Sequence, residues 1–212
     1  MRGLAAVGAV LLVAGCGGKS GSTPATGAKT TTGSRPASSN GCRVTGKQVT
    51  FPQLDPSKPS TVAVQTNLGT FAFMLDVRDS PCTTSSFASL VRKHFFDGLI
   101  FHRIVPRFVI QGGDPKGNGT GGPGYSVVDT PPSDARYTRG VVAMAKTATE
   151  PAGTSGSQFF VVTAADAGLS PEYALLGKVT RGLAVVERIG RLGNAQEQPT
   201  RRVVIRRMTV TP

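Results

Sequence analysis

The segment FHRIVPRFVIQGGD, residues 101–114, is mostly apolar and reads as strand, yet it carries His102, Arg103, Arg107 and Gln111. Strand side chains alternate between two faces. Arg103, Val105, Val109 and Gln111 share a parity, although Pro106 interrupts the run. Two readings stand side by side. One is an edge strand with a solvated polar face. The other is the floor of a groove that sets a cation and an amide among apolar groups. Arginine suits the second role, because it stays protonated and presents a planar fork of N–H donors.

Other motifs carry less chemistry. GNGTGG, residues 117–122, has the spacing of a dinucleotide loop, but Pro123 and Gly124 follow it where a helix should start. It also lacks the Lys-Ser/Thr pair of a phosphate-binding loop. GTSGSQ, residues 153–158, approaches a nucleophile elbow, yet Ser157 stands where the second glycine belongs. Only His94 and His102 could act as a base, and His94 reads as a surface residue near a helix end. Two histidines without clustered carboxylates make no metal ligand set. No metal and no cofactor are expected.

The elements around these residues are mostly strands. TVAVQT (61–66) and TFAFML (70–75) alternate and are joined by NLG, a hairpin signal. SPCTTSSFASLVRKHFF then changes period. Asp79 or Ser80 can cap a helix there, Pro81 suits its first turn, and Phe87, Leu90, Val91 and Phe95 form one apolar face before Gly98 ends it. LIFHRIV, FVIQ, GVVAMA, SQFFVVT, YALLGKVT and RVVIRRMTV read as further strands, with a short helix at GLAVVERIG (182–190). Many short strands with two helices predict a mainly β, closed or nearly closed antiparallel barrel with helical lids.

The net charge of +12 raises the question of an anionic partner. No basic helical stripe with interleaved aromatics exists, and there is no Trp, so nucleic acid is not expected. A solvated surface, or weak attraction to anionic lipid or cell-wall polymer, fits better. The N-terminus MRGLAAVGAVLLVAGC has Arg2 and then an apolar run over residues 4–14, shorter than the roughly 20 residues of a spanning helix. It fits the core of a secretory signal. LVAGC resembles the lipobox of bacterial lipoproteins, which implies cleavage before Cys16 and lipidation of its thiol. The alternatives are an ordinary signal peptide with a chance cysteine, or an uncut anchor. Residues 17–41 hold no large apolar side chain and predict a flexible tether. With Cys16 lipidated, Cys42 and Cys82 remain. In an exported protein an even pair suggests a disulfide; the alternative is two unrelated thiols.

Taken in order, FDGLIFHRIVPRFVIQGGD, GNGTGG, GVVAMA, GSQFFVVT and LLGKV resemble the cyclophilin family of peptidyl-prolyl cis–trans isomerases. The likeness runs from about Thr61 to the C-terminus. It implies an eight-stranded antiparallel closed barrel capped by two helices, within a domain spanning residues 42–212, and a proline-binding groove on its outside. Arg103 matches the catalytic arginine. Phe108, Val109, Gln111, Phe160 and Leu169 match groove positions, with Val109 replacing the usual methionine. Gly119, Ala145, Lys146, Thr147 and Gln158 match the rest of the groove. Lys146 stands where asparagine is usual, at a position that mainly offers backbone hydrogen bonds. Gly168 stands where many eukaryotic members have tryptophan, and Tyr173, a further substrate-binding position, where many have histidine; cyclosporin binding is therefore expected to be weak.

In the implied barrel the strand before the first helix runs close to where the chain enters, so Cys42 and Cys82 could meet, away from the groove. The whole reading is a monomeric, lipid-anchored isomerase on the extracytoplasmic side of a bacterial membrane, with no cofactor, acting on proline-containing segments of exported proteins to speed their folding. The alternative is an X-Pro binding or chaperone module with little turnover.

Overall fold

A computed structural model describes residues 38–39 and 41–212. Cys16, the expected signal segment of residues 1–16 and nearly all of the expected tether lie outside the described residues. The tether was expected to reach residue 41, but Ser38–Ser39 already form a short strand, β1, paired with β2 (Cys42–Gly46).

β3 (Thr61–Thr66) and β4 (Gly69–Leu75) make the expected hairpin. The Thr66 hydroxyl closes its turn by donating to the Gly69 carbonyl at 2.7 Å while accepting from the Leu68 N–H. Alternation sends Val62 and Val64 into the core. The main sheet adds β5 (Phe101–Val105), β6 (Val109–Gly112), β8 (Val141–Met144), β10 (Phe159–Val162), β11 (Leu175–Arg181) and β12 (Ile205–Thr211). All its pairs are antiparallel, in the order β12-β3-β4-β11-β8-β10-β6-β5. A closed barrel was expected; the sheet curls, but no ladder joins its edge strands β5 and β12. A single bridge, Ile100 to Val204, with backbone bonds from Phe101 N to Val203 O and from Ile205 N to Leu99 O, forms the seam. Further along β5, the Ile104 N–H is taken by the carbonyl of Glu197 at 2.8 Å. A loop therefore occupies the edge that β12 would need.

Six phenylalanines fill the curl. Phe87 meets Phe96 at 4.7 Å between ring centroids and Phe159 edge-on at 5.6 Å. Phe71, Phe73 and Phe101 extend the cluster. Edge-to-face pairs add to the large apolar area each ring buries.

α1 (Pro81–Arg92) departs from expectation three times. It ends before Phe95, because His94 takes a left-handed φ of 57° and turns the chain so that Phe96 enters the core. Ser80 is its N-cap residue but its hydroxyl makes no cap bond; the free N–H of Thr83 is taken by Asp129 at 2.6 Å, 46 residues away. Residues 83–91 are also buried all round rather than on one face. The hydroxyl side of α1 meets a second sheet, of order β1-β2-β7-β9, with β7 at Tyr125–Val128 and β9 at Thr154–Ser155. Ser86 bonds Tyr125 Oη at 3.0 Å and Thr83 donates to Ser155 Oγ. α2 (Leu183–Gly190) buries Val186 and Ile189.

The second sheet has its own small core of Cys42, Val44, Phe51 and Val127. A disulfide ties it to α1: Cys42 and Cys82 are bonded, with Cα atoms 5.5 Å apart. The bond closes a loop across a sequence separation of 40. In the chain-entropy account such a loop is worth about 4 kcal/mol. Replacing both cysteines by serine is therefore expected to lower Tm by about 8–16 °C in scanning calorimetry. An unchanged Tm would mean that other contacts hold β2 in place.

Candidate active site

The puzzling segment of residues 101–114 is a hairpin, divided at Pro106 into the two runs, LIFHRIV and FVIQ, that read as separate strands. β5 and β6 are joined by a turn over Pro106 and Arg107, whose φ is 58°, with the Phe108 N–H on the Val105 carbonyl. The register shifts between Phe101 and Arg103. Two residues of β5 then oppose one of β6, and a bulge of this kind re-aims the side chains beyond it. Phe101 and Ile104 both point into the core, while Arg103 faces outward, directly opposite Gln111.

The outer face that Arg103 joins is itself apolar. Val109, Tyr137, Val141, Ala143, Phe160 and Val162 are buried there, under Phe108, Ala145, Leu169 and Tyr173. β8 and β10 are thus covered on both faces, which is why VVAM and FFVV are continuous apolar runs.

A polar relay crosses this surface. Arg103 Nε donates to Glu197 Oε2 at 2.7 Å, and its Nη1 donates to Gln111 Oε1 at 3.2 Å. Gln111 Nε2 donates to Gln158 Oε1 at 3.0 Å, and Gln158 Nε2 donates to the carbonyls of Gly119 and Gly121, each at 2.9 Å. The glycine-rich loop that ends the relay is wrapped around Asp114, which is buried and accepts the N–H groups of Lys116, Asn118 and Gly119 at 2.7, 2.9 and 2.5 Å. A β-carbon on Gly121 would collide with the Asp114 carboxylate. The GNGTGG spacing therefore serves a carboxylate of this chain.

Two hollows lie along the relay. The smaller, of about 180 Å³, is lined by Arg103, Phe108, Val109, Phe160, Leu169 and Tyr173. The larger, of about 660 Å³, is lined by Gly119, Thr147 and Gln158. Gln111, Ala145 and Lys146 border both. Every groove position expected from the sequence is thus brought to one surface. Residues 61–210 match the model of the family described as cyclophilin type peptidyl-prolyl cis-trans isomerase/CLD. The chain belongs to the cyclophilin family of peptidyl-prolyl isomerases.

Other cyclophilins resemble it over the same region. Peptidyl-prolyl cis-trans isomerase-like 1 of Mus musculus is 36% identical over 150 residues, 68% of this chain and 89% of that protein. Probable peptidyl-prolyl cis-trans isomerase B of Mycobacterium leprae is 39% identical over 158 residues, 66% of this chain and 52% of that protein. The crystal structure of a Cryptosporidium parvum cyclophilin superposes with a TM-score of 0.65 at 28% identity, covering 73% of this chain and 99% of that one. The same parasite cyclophilin has a second crystal structure in the presence of the dipeptide Ala-Pro.

This cyclophilin departs from the expected groove in several places. Lys146 was expected to contribute its backbone, yet its side chain is only 4% exposed. Its Nζ lies 3.0 Å from Glu172 Oε2, donates to the carbonyls of Thr147 and Glu150, and sits 5.6 Å from the centre of the Tyr173 ring. It thereby ties the loop after β8 to the segment before β11. Gly168 is exposed, lines neither of the two hollows, and a β-carbon there would meet nothing within 4 Å among the described residues. Tyr137, Glu197, Thr45 and Gly46 were not foreseen. Tyr137 Oη donates to the Tyr173 carbonyl at 2.6 Å and accepts its N–H, fixing the residue that lines the smaller hollow. Thr45 and Gly46 belong to β2 and line the larger hollow. Neither Cys42 nor Cys82 lines either hollow, as expected, but the strand that begins at Cys42 reaches the groove wall at its other end.

Two ionisable groups lie behind this surface. Burial works against the charge of Asp114, but the N–H groups of Lys116, Gly119 and Asn118 outweigh it, with His102 adding, and hold the carboxyl below its usual value. Burial pushes the His102 imidazole below its usual value against the pull of Asp114, and neither ring nitrogen has a hydrogen-bond partner among the described residues. His102 kept neutral in the fold erodes stability as pH drops below about 6.5, where the unfolded chain takes up the proton. The stabilisation from Asp114 is complete above about pH 4, its unfolded value, and is lost as pH falls through the lower folded value. Asp114→Asn is expected to lower the unfolding free energy at neutral pH by about 1–3 kcal/mol and to flatten its decline below about pH 4. Urea unfolding at a series of pH values checks this, and an unaltered acid limb would contradict it.

Proposed function

We propose that this cyclophilin isomerises X-Pro bonds in the groove, with Arg103 as the catalytic residue, and that its clients are exported polypeptides whose folding it speeds. The observation that carries the catalytic reading is the setting of Arg103. Its Nε and Nη1 are engaged by Glu197 and Gln111, and its guanidinium borders the hollow of about 180 Å³ that Phe108, Val109, Phe160 and Leu169 also line.

A peptide bond resists rotation by about 18–20 kcal/mol, because the nitrogen lone pair is delocalised into the carbonyl. Uncatalysed X-Pro isomerisation takes on the order of tens to hundreds of seconds. In the twisted transition state the lone pair returns to the prolyl nitrogen. A donor aimed at that nitrogen stabilises the twisted form and not the planar one, which is the condition for catalysis. Arg103 supplies that donor with no base and no covalent step. Raising a rate from about 10⁻² to about 10³ s⁻¹ requires roughly 7 kcal/mol. One charged hydrogen bond contributes about 1.5–3 kcal/mol. The remainder falls to the proline pocket of Phe108, Val109, Phe160 and Leu169, which holds the ring while the carbonyl side rotates. Gln111 orients Arg103. The residues preceding proline run past Ala145 and Lys146 toward Gly119, Thr147 and Gln158.

Export and anchoring rest on the residues before the domain and on one structural observation. Arg2, the apolar run of residues 4–14 and LVAGC have the form of a lipoprotein signal ending at Cys16. The Cys42–Cys82 bond suits an oxidising, extracytoplasmic compartment.

In a protease-coupled assay on a short X-Pro peptide, Arg103→Ala and Arg103→Lys are each expected to lower kcat/KM at least about tenfold with circular dichroism unchanged. Lysine keeps the charge but cannot present the fork that meets Glu197 and Gln111 together. A folded Arg103→Ala protein with wild-type turnover would refute the mechanism. Peptide binding without turnover in the wild-type chain would leave a binding module instead.

For the anchor, mass spectrometry of protein extracted from a bacterial membrane should find a diacylglyceryl group on Cys16. Cys16→Ala is expected to release the protein from the membrane fraction. An unmodified Cys16 in a cleaved or intact chain would exclude the lipoprotein form.

A further inference from the structure

We propose that Glu197 is a positioning residue for Arg103: it sets the plane of the guanidinium, and turnover depends on it although it touches no reacting atom. This rests on the reading of Arg103 as the catalytic donor. Glu197 stands 94 residues away in sequence, in the loop between α2 and β12. Nothing in the family motifs draws attention to it.

Glu197 grips β5 twice. Its carboxylate accepts Arg103 Nε at 2.7 Å, and its backbone carbonyl accepts the N–H of the next residue, Ile104, at 2.8 Å. Gln111 holds Nη1 from the other side at 3.2 Å. Two fixed contacts on different nitrogens define the orientation of a planar group. Among the described residues Nη2 has no hydrogen-bond partner, so the outer edge of the fork is left for a ligand.

The loop that presents Glu197 is built to hold it. Asn194 Oδ1 accepts the N–H groups of Gln196 and Gln198 at 3.0 and 2.9 Å, and the Asn194 carbonyl accepts the N–H of Glu197 at 3.0 Å. A bridge from Gly193 to Pro199 closes the loop base, where Thr200 bonds the Leu192 carbonyl through both its N–H and its hydroxyl. Gly193 lies so close to the Ile104 carbonyl that a β-carbon would not fit. The loop is therefore pressed onto β5 next to Arg103.

The energetics favour a functional role over a stabilising one. The Arg103 and Glu197 side chains are 36% and 48% exposed, and ion pairs in that setting add little to stability. Glu197 also adopts a φ of 62°, a left-handed conformation that is unfavourable for a residue with a long side chain. Asparagine or glycine would sit there with less strain. Backbone strain with little stability in return is found where geometry serves a site.

Glycine supplies the test, because it suits φ 62° while removing the carboxylate. Glu197→Gly is expected to melt no lower than the wild type, yet to lose at least about fivefold in kcat on the X-Pro peptide, with KM within about twofold. Glu197→Gln, which keeps a neutral acceptor, should lose less. In an Arg103→Ala background, Glu197→Gly should cause no further loss. A wild-type kcat in Glu197→Gly would overturn the proposal, as would an equal loss in the Arg103→Ala background, since Glu197 would then act without Arg103. Should the wild-type chain turn over nothing, the reading of Arg103 falls and this one with it. Should the wild type turn over and Glu197→Gly match it, only the positioning role falls.

Discussion

Between Phe101 and Arg103 the β5–β6 ladder takes one extra residue, and with it the side-chain alternation changes face. Without that bulge Arg103 would follow Phe101 into the phenylalanine cluster, where an unpaired guanidinium cannot be accommodated. With it, Phe101 and Ile104 complete the core while Arg103 emerges opposite Gln111. The relay through Gln158 to the glycine-rich loop depends on that exit point, and so does the contact with Glu197. At the outer edge of β5 the loop after α2 takes the Ile104 N–H that β12 does not reach.

The outer surface shows how an exposed groove is kept apolar. Val109, Phe160 and Val162 are buried on the side of the sheet away from the main core, beneath a layer that includes Tyr137 and Tyr173. Tyr173 stands edge-on to Phe160 at 5.5 Å and to Tyr137 at 5.8 Å. Each buried polar tip in this layer has a partner: Tyr137 bonds the backbone of Tyr173, and Lys146 has Glu172 and two carbonyls. A layer satisfied in this way can border solvent and still present a firm wall to a ligand, since leaving such groups unpaired would cost several kcal/mol on the order of their desolvation.

What could be read from the sequence was whatever local pattern controls. Alternation in TVAVQT, the NLG turn and the long apolar runs gave the main strands, and the ordered motifs brought the groove residues to one surface. Distant partners left no local trace. Asp129 caps α1 across 46 residues, and Glu197 reaches Arg103 across 94. The second sheet escaped because its strands are two to five residues long and share one small core with a disulfide. The early end of α1 turns on one left-handed residue, His94, which hydrophobic spacing does not register. The strand count suggested a closed or nearly closed barrel and the resemblance a closed one; the open seam follows from the competition of a loop carbonyl for a single N–H.

The disulfide has a mechanical consequence. Cys42 is the first residue of β2, and Cys82 lies in the first turn of α1, at the edge of the main core. Tension applied through the residues that precede Cys42 leaves the backbone at that point and passes through the sulfurs into the helix. The hydrogen bonds between β2 and β7, and with them Thr45 and Gly46 at the groove wall, lie on the slack side of the cross-link. A pull on the N-terminus would otherwise peel β2 from its neighbour one bond at a time. Here the load bypasses that ladder, and the binding surface keeps its shape while the chain upstream is drawn taut.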